Sequence, residues 1–542
     1  MSSAADRPSV DSNSPPPSAP AAATSSRERL VRNSAWNFSA YVVYVLATFL
    51  SARLYIDYVG LKQYGLLVLL GSIIAPLGLL NFGLAQATVK YMAESFARGD
   101  RPAAANYLSN TLLFNLGVGV LGALTLGLLA PWLTVAVFRI DAADQALATA
   151  MLHWTAATWL TTQVAATFTA VPTALQQYRV VSQANTFFMT MSIVLGLGTL
   201  ILGGNLLNVV QVRFAWSIVT VAGWAWLANR ACPGLRLRPS YHRGAFRNSF
   251  RFGAWQTAAS AGSIVANQAD KYLLGIYVST GAVGLFNVPT VIFTTAYIGI
   301  TKLADILFPA ISDLHGRGDR VRMAMLVQKA AWAISLVMVS VQSALYVWAP
   351  DILRLYLGTE VDPAAIQVLR ISAIVSMVSA PSIVVDQFLL GVGATHWTAM
   401  TAFASGAINL IGGVLLVPRF GLAGAAWSDM IAVVGSRPLL HYLIWKRELS
   451  ADAGRSEFFS MLYGSAMVGI PITLGLALVR GLFPAPLTWL MLPPLALLVA
   501  AVTAACCMGI GRYLPGHSAA HAIAADAYER LKAKLIAARE KT

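Results

Sequence analysis

Apolar stretches of about twenty residues recur along the chain, each closed by a short polar turn. About 20 apolar residues cross a bilayer as a helix. Fourteen stretches reach that length, near 36–56, 66–89, 108–129, 150–171, 185–202, 209–228, 252–277, 283–308, 324–348, 367–390, 397–417, 423–445, 458–479 and 487–510. The pattern predicts an all-α polytopic membrane protein of about 14 transmembrane helices. The turns alternate in charge. Lys90, Arg98 and Arg101 follow the second stretch, Arg179 the fourth, and Arg230, Arg236, Arg238, Arg243, Arg247 and Arg251 the sixth. Under the positive-inside rule these basic turns lie in the cytoplasm, and an even number of spans places both termini there.

The pattern also repeats. Residues 58–101 align with 277–320 at a constant offset of 219, with 11 of 44 positions identical. The polar block carries the match: Arg98-Gly99-Asp100-Arg101 against Arg317-Gly318-Asp319-Arg320, with Tyr58/Tyr277 and Gly65/Gly284. Ala130-Pro131 recurs as Ala349-Pro350, Arg32-Asn33-Ser34 as Arg247-Asn248-Ser249, and Ala215-Trp216-Ser217 as Ala426-Trp427-Ser428. Repeated halves are a common construction among membrane transporters. The expected organisation is a disordered cytoplasmic tail over 1–30, a six-helix lobe over 31–228, a basic cytoplasmic linker over 229–251, and a second six-helix lobe over 252–446. Two additional helices follow over 447–511, then an amphipathic cytoplasmic tail over 512–542.

Composition agrees. Hydrophobic residues make up 57% and charged residues 11% of the 542, with a mean hydropathy of +0.65. The net charge of +15 is explained by basic cytoplasmic loops rather than by nucleic acid. Three cysteines form no disulfide framework. No Walker A loop and no zinc-ligand cluster is present, and no cofactor is expected. No loop is long enough to hold a catalytic domain. This favours transport over a membrane-embedded glycosyltransferase or polymerase.

Ionisable groups inside spans cost about 2.5–3.5 kcal/mol each on insertion scales, so each needs a reason. Arg53 and Asp57 are four apart on one helix and Lys302 and Asp305 three apart, so each pair can neutralise itself. Asp270 and Lys271 are adjacent and point to different neighbours. Asp386, Asp429 and Arg437 complete the set. Gln256, Asn267 and Gln268 make the Asp270 span polar, and such amides can hydrogen-bond sugar hydroxyls or another helix. Arg53, Lys271, Lys302 and Arg437 are candidate anion contacts. Asp270, Asp305 and Asp386 are candidates for proton or sodium coupling, since a carboxylate in low dielectric can exchange its proton near neutral pH.

The segment from Arg32 to Leu70, with its Gly60-Leu61-Lys62-Gln63-Tyr64-Gly65 turn, resembles the N-terminus of bacterial polysaccharide flippases. These are the Wzx-like branch of the multidrug/oligosaccharidyl-lipid/polysaccharide exporter superfamily. Asp270-Lys271-Tyr272-Leu273-Leu274-Gly275, Val283-Gly284-Leu285-Phe286 and Gly421-Leu422-Ala423-Gly424-Ala425-Ala426 are similar to later family features, and the resemblance covers about 30–510. It implies two six-helix lobes around a central cavity plus two C-terminal helices. It further implies an undecaprenyl-pyrophosphate-linked oligosaccharide as substrate, moved to the periplasmic leaflet of the bacterial inner membrane by alternating access for O-antigen or exopolysaccharide synthesis. Membrane lipids and polysaccharide polymerase machinery are the expected partners. A cation-coupled multidrug antiporter and a lipid II flippase of the same superfamily remain alternatives, and a glycan polymerase a further one.

Overall fold

The computed structural model describes residues 21–510 apart from 83, 235–238, 306, 359–360, 445, 448–454, 483–487 and 489–490. Most of the tail over 1–30 and the amphipathic tail over 512–542 lie outside the described residues. The first half holds α1 (Ala21–Ser72), α2 (Ile74–Leu77), α3 (Leu84–Ala97), α4 (Arg101–Trp132), α5 (Ala142–Ala174), α6 (Tyr178–Ile201) and α7 (Leu206–Ala231). The second holds α8 (Arg243–Tyr277), α9 (Thr280–Ala304), α10 (Leu307–Gly316), α11 (Arg320–Val347), α12 (Ala349–Leu357), α13 (Pro363–Gly391) and α14 (Thr395–Ile444), and α15 (Arg455–Leu482) and α16 (Leu492–Ile510) follow. The described residues include no strand.

The predicted spans fall on these helices, the second running across the end of α1, α2 and the start of α3, and the eighth across α9 and the start of α10. By length and composition, eight stretches among the described residues can cross a membrane, and two of them hold two predicted spans each. Ala47–Asn81 turns at Gly60, and His396–Ile444 turns at Gly421. The second span is broken: α2 holds Pro76, a tight turn over Gly78–Asn81 follows, and Phe82 is left-handed at φ 44°.

The repeat survives in three dimensions. Asp100 caps α4 by accepting from the Ala103 amide at 2.9 Å, and Asp319 caps α11 by accepting from the Arg322 amide at 3.1 Å. The glycine before each cap is left-handed, Gly99 at φ 72° and Gly318 at φ 70°, a conformation that costs glycine little. The Arg-Gly-Asp-Arg block is therefore a turn that ends one helix and starts the next, used twice. Gly65 and Gly284 meet each other. A β-carbon on Gly65 would lie 2.7 Å from the Gly284 nitrogen, and one on Gly284 would lie 3.0 Å from the Gly65 nitrogen. A position touching its own repeat counterpart marks the pseudo-two-fold axis, and the backbones cross there because neither has a side chain.

The turns at Gly60, Gly203, 278–279 and Gly421 lie at one end of the bundle, here the Gly60 face. The turns at Gly99 and Gly318 lie at the other, the basic face. Near the Gly60 face the hydrophobic clusters mix both halves: Leu66, Leu69 and Phe138 pack with Leu274, Val283 and Val417, and Ala52, Tyr55 and Tyr64 with Val288, Leu353 and Leu369. Near the basic face each half keeps its own cluster. Met92, Leu108 and Val171 form one, and Ile311, Met323 and Phe388 the other. The two lobes thus share hydrophobic clusters at the Gly60 face, while at the basic face they meet through the start of α8, where Phe246 and Phe250 pack on Phe114 and Phe82.

Candidate functional site

The charged residues of the spans sort by their partners. Asp270 on α8 is 6% exposed, and its Oδ1 has no hydrogen-bond partner among the described residues. α8 packs along α14, which brings Asn409 and Asp429 beside it. The Asn409 amide donates to Asp429 Oδ1 at 2.7 Å, and Asn409 is also in hydrogen-bonding reach of the Asp270 carboxyl. Ser428 Oγ holds the amide orientation by donating to Asn409 Oδ1 at 2.7 Å. The result is a buried carboxyl, Asp270, and a half-buried one, Asp429, sharing one fixed amide. Beside it, Lys271 Nζ donates to Gln268 Oε1 at 3.1 Å. The side chains of Gln256 and Asn267 lie outside the described residues.

A second polar group lies nearer the basic face, between α9, α13 and α14. Arg437 Nη1 stands 3.9 Å from Asp386 Oδ2, and buried His441 meets Ser382 Oγ at 3.2 Å. On the rim, Lys302 Nζ pairs with Asp305 Oδ2 at 2.8 Å, and Gln387 donates to the other oxygen at 3.1 Å. Both ions of that rim pair are well exposed.

Arg53 belongs to neither group. It sits near the Gly60 face, bonds Asp57 at 3.3 Å, and donates from Nη1 to the carbonyls of Leu355 and of Tyr356, the latter at 2.9 Å. Those carbonyls end α12, so the guanidinium caps a helix C-terminus in the other lobe. Tyr356 answers by donating its hydroxyl to the Phe49 carbonyl. At the other end of α12, Asp351 pairs with Arg480 of α15 at 2.7 Å. α12 is thereby fixed to the first lobe and to the additional helices.

Sequence reasoning placed Asp270 in the site but not its partners. Asn409 is one amide in an apolar stretch, and its relevance rests on the packing of α8 along α14. Asp429 carried a usable signal. It directly follows the repeated Ala-Trp-Ser run, whose first-half copy is followed by Ile218, so the charge breaks the repeat. Arg213 on α7 was also passed over. It donates from Nη2 to Tyr55 Oη at 2.9 Å.

Residues 60–366 match the family of polysaccharide biosynthesis proteins. A probable low-salt glycan biosynthesis flippase of Haloferax volcanii is 21% identical over 230 residues, which is 42% of this chain and 47% of that protein. The probable multidrug resistance protein NorM of Rhizobium meliloti is 25% identical over 213 residues, 38% of this chain and 45% of that protein. The chain spans less than half the length of these curated relatives. The solved structure of the lipid II flippase MurJ in an inward closed conformation superposes with a TM-score of 0.68 at 12% identity, covering 88% of this chain and 98% of that one. An inward-facing multidrug resistance MATE family transporter of the MOP superfamily superposes at 0.61 and 14% identity, covering 74% and 95%. At such identities the likeness is one of fold. The family match takes in more than half of the 542 residues. The chain therefore belongs to the polysaccharide biosynthesis protein family.

Proposed function

We propose that this protein carries an undecaprenyl-pyrophosphate-linked oligosaccharide from the cytoplasmic to the periplasmic leaflet of the bacterial inner membrane, for O-antigen or exopolysaccharide assembly. The observation that carries the reading is the one-sided sharing of hydrophobic clusters, in a chain of this family. The lobes share hydrophobic clusters at the Gly60 face and keep separate clusters at the basic face. The positive-inside rule puts the basic face and both termini in the cytoplasm. The cavity then opens toward the leaflet where the repeat unit is built, and rocking of the lobes carries the head group across.

The buried carboxyl of Asp270 and the half-buried one of Asp429 supply the drive in this reading. Two acids sharing one amide in a low-dielectric lobe are compensated by a proton or a monovalent cation, and release of that ion on one side couples the lobe to a gradient. Lys302 and Arg437 face the anionic head during passage once Asp305 and Asp386 give them up, and Asp305 and Asp386 are the acids freed by that exchange. Lys271 and Gln268 line the same route. Arg53 fits a cross-lobe clasp better than a substrate contact. Polymerase machinery would receive the product.

A second reading, a cation-coupled antiporter of small drugs, is favoured by the likeness to NorM. One experiment separates the two. In a deletion strain, the lipid extract should accumulate a complete lipid-linked repeat unit on the cytoplasmic leaflet while surface polysaccharide is lost. Normal polysaccharide together with drug sensitivity would sink the flippase reading. Finished units on the periplasmic side, with only polymer missing, would point to a later step.

A further inference from the structure

Phe82 ends the short turn that breaks the second span, and its backbone is left-handed at φ 44° and ψ 35°. That conformation suits glycine, and for a bulky residue it is strained. The strain is not inherited from the repeat. At the offset of 219 the turn and Phe82 correspond to 297–301, which lie inside α9 as ordinary helix. A strained residue persists where its surroundings hold it in place.

The Phe82 ring is held between two elements. It lies 6.3 Å from the Phe114 ring of α4 and 5.4 Å from the Phe250 ring of α8. Phe250 continues to Phe246 at 5.8 Å, and Phe246 meets both Phe114 at 6.0 Å and Tyr241 at 5.6 Å. These are the separations of interacting ring pairs. Beside the row, buried Asn110 of α4 grips the main chain where α8 begins. Its amide donates to the His242 carbonyl at 2.9 Å, and its own carbonyl accepts from the His242 amide at 2.7 Å. The start of α8 is thus held to the first lobe by rings and by a two-way hydrogen bond.

The rest of α8 belongs to the other lobe. About 18 Å further along the helix from Phe250, Gly262 meets the backbone of α14 so closely that a β-carbon there would lie 2.8 Å from the Phe403 nitrogen. Leu273 lies against Gly413 of the same helix. α8 is one unbroken helix from Arg243 to Tyr277. Parting of the lobes at the basic face therefore pulls its start away from Phe82, Phe114 and Asn110. We propose that this row of rings is a spring-loaded latch on the basic face. The rings and Asn110 hold α8 to the first lobe, and the left-handed Phe82 eases release, because its turn relaxes once Phe250 withdraws. The proposal rests on alternating access in the flippase reading above, and it names the contact that must let go before the basic face opens.

The test uses the full-length protein in lipid nanodiscs, with the three native cysteines replaced by serine and a single Ser249→Cys as probe. Ser249 sits between Phe246 and Phe250 in α8 and is 3% exposed, so a water-soluble maleimide should label it slowly. Phe250→Ala should speed labelling about fivefold and Asn110→Ala about tenfold. Phe82→Ala should speed it about fivefold, and Phe82→Gly by clearly less, because glycine gives up the strain together with the ring. Phe187→Ala removes an exposed ring of α6 packed on Phe188 at 5.5 Å, and should leave the rate unchanged. Unchanged rates in both Phe250→Ala and Asn110→Ala overturn the latch. Labelling of Phe82→Gly as fast as that of Phe82→Ala overturns the spring. Phe250 is 38% exposed, so its alanine variant decides the matter alone should Asn110→Ala not fold. In cells, a reducible cross-link between Phe82→Cys and Phe250→Cys should stop polysaccharide export until it is reduced. Export that continues under the cross-link overturns the latch's part in transport, whereas failure of the flippase reading shows instead as normal polysaccharide in the deletion strain.

Discussion

The Gly60 face and the basic face are built from the same apolar residue types, yet they do different work. At the basic face, Met92 packs with Leu108 and Val171 of its own lobe, and Met323 with Val327 and Phe388 of the other. At the Gly60 face, Leu66 packs with Val283, and Tyr55 with Val288, across the lobe boundary. Contacts within a lobe keep each bundle folded whatever the state of the other. Contacts across the boundary exist in one arrangement and must be given up in another. Burial alone does not tell these apart. What tells them apart is which half of the repeat the partner comes from.

That contrast can be broken most severely at the axis. Gly284→Val places a side chain against the Leu61 carbonyl, 2.6 Å from where its β-carbon would sit, and against Gly65. Overpacking of this kind costs about 1–3 kcal/mol or more. It falls on the joined face, so polysaccharide export should drop at least about tenfold while each lobe stays folded, as read by export in cells and by near-normal protein levels. Next come the carboxyls. Asp270→Asn and Asp429→Asn should each cut export by about tenfold with protein levels unchanged, and transport in vesicles should stop responding to an imposed ion gradient. Export equal to wild type in both would mean that the pair only glues α8 to α14.

A smaller effect is expected at the clasp. Arg53→Ala removes hydrogen bonds to the end of α12 from a side chain about one-third exposed, so the loss should be about 1 kcal/mol, a several-fold shift toward parted lobes. Labelling of Ala282→Cys from the Gly60 face by a membrane-impermeant maleimide should rise by that factor, and unchanged labelling would remove Arg53 from the closure. The smallest effect on stability belongs to the rim of the basic face. Lys302→Ala breaks an exposed ion pair worth about 0–1 kcal/mol, so the melting temperature should barely move while export falls. If neither changes, Lys302 is a solvated charge.

Much of the architecture was legible in the sequence because it follows from local rules. Apolar length marks the spans, basic turns their alternation, and the spacing in Arg53/Asp57 and Lys302/Asp305 pairs each ion with its helical neighbour. The repeat was legible through polar residues, since Arg-Gly-Asp-Arg has to make the same capped turn twice. Partners distant in sequence were not legible. Arg53 reads as an interfacial arginine until α12, a nine-residue helix in what looks like a loop, presents its carbonyls 302 and 303 positions away. Asn409 and Arg213 were missed for the same reason: an amide and a lone arginine acquire meaning from Asp270 and Tyr55, and no spacing rule links them. The break in the second span had a local signal in Pro76, but Pro289 and Pro381 lie inside continuous helices, so proline alone does not locate a break.

The meeting of Gly65 with Gly284 has a consequence for ancestry. If the two halves descend from one shorter chain that paired with a second copy of itself, these glycines were then a single position facing its own twin. Any side chain gained there would have entered the contact from both sides at once, doubling the clash. After fusion the two positions could change separately, yet each still meets the other's bare backbone, so a gain at either one is felt by both. The axis is thus where a duplicated protein has least freedom to let its halves diverge, while Asp429, outside that contact, was free to appear in one half alone.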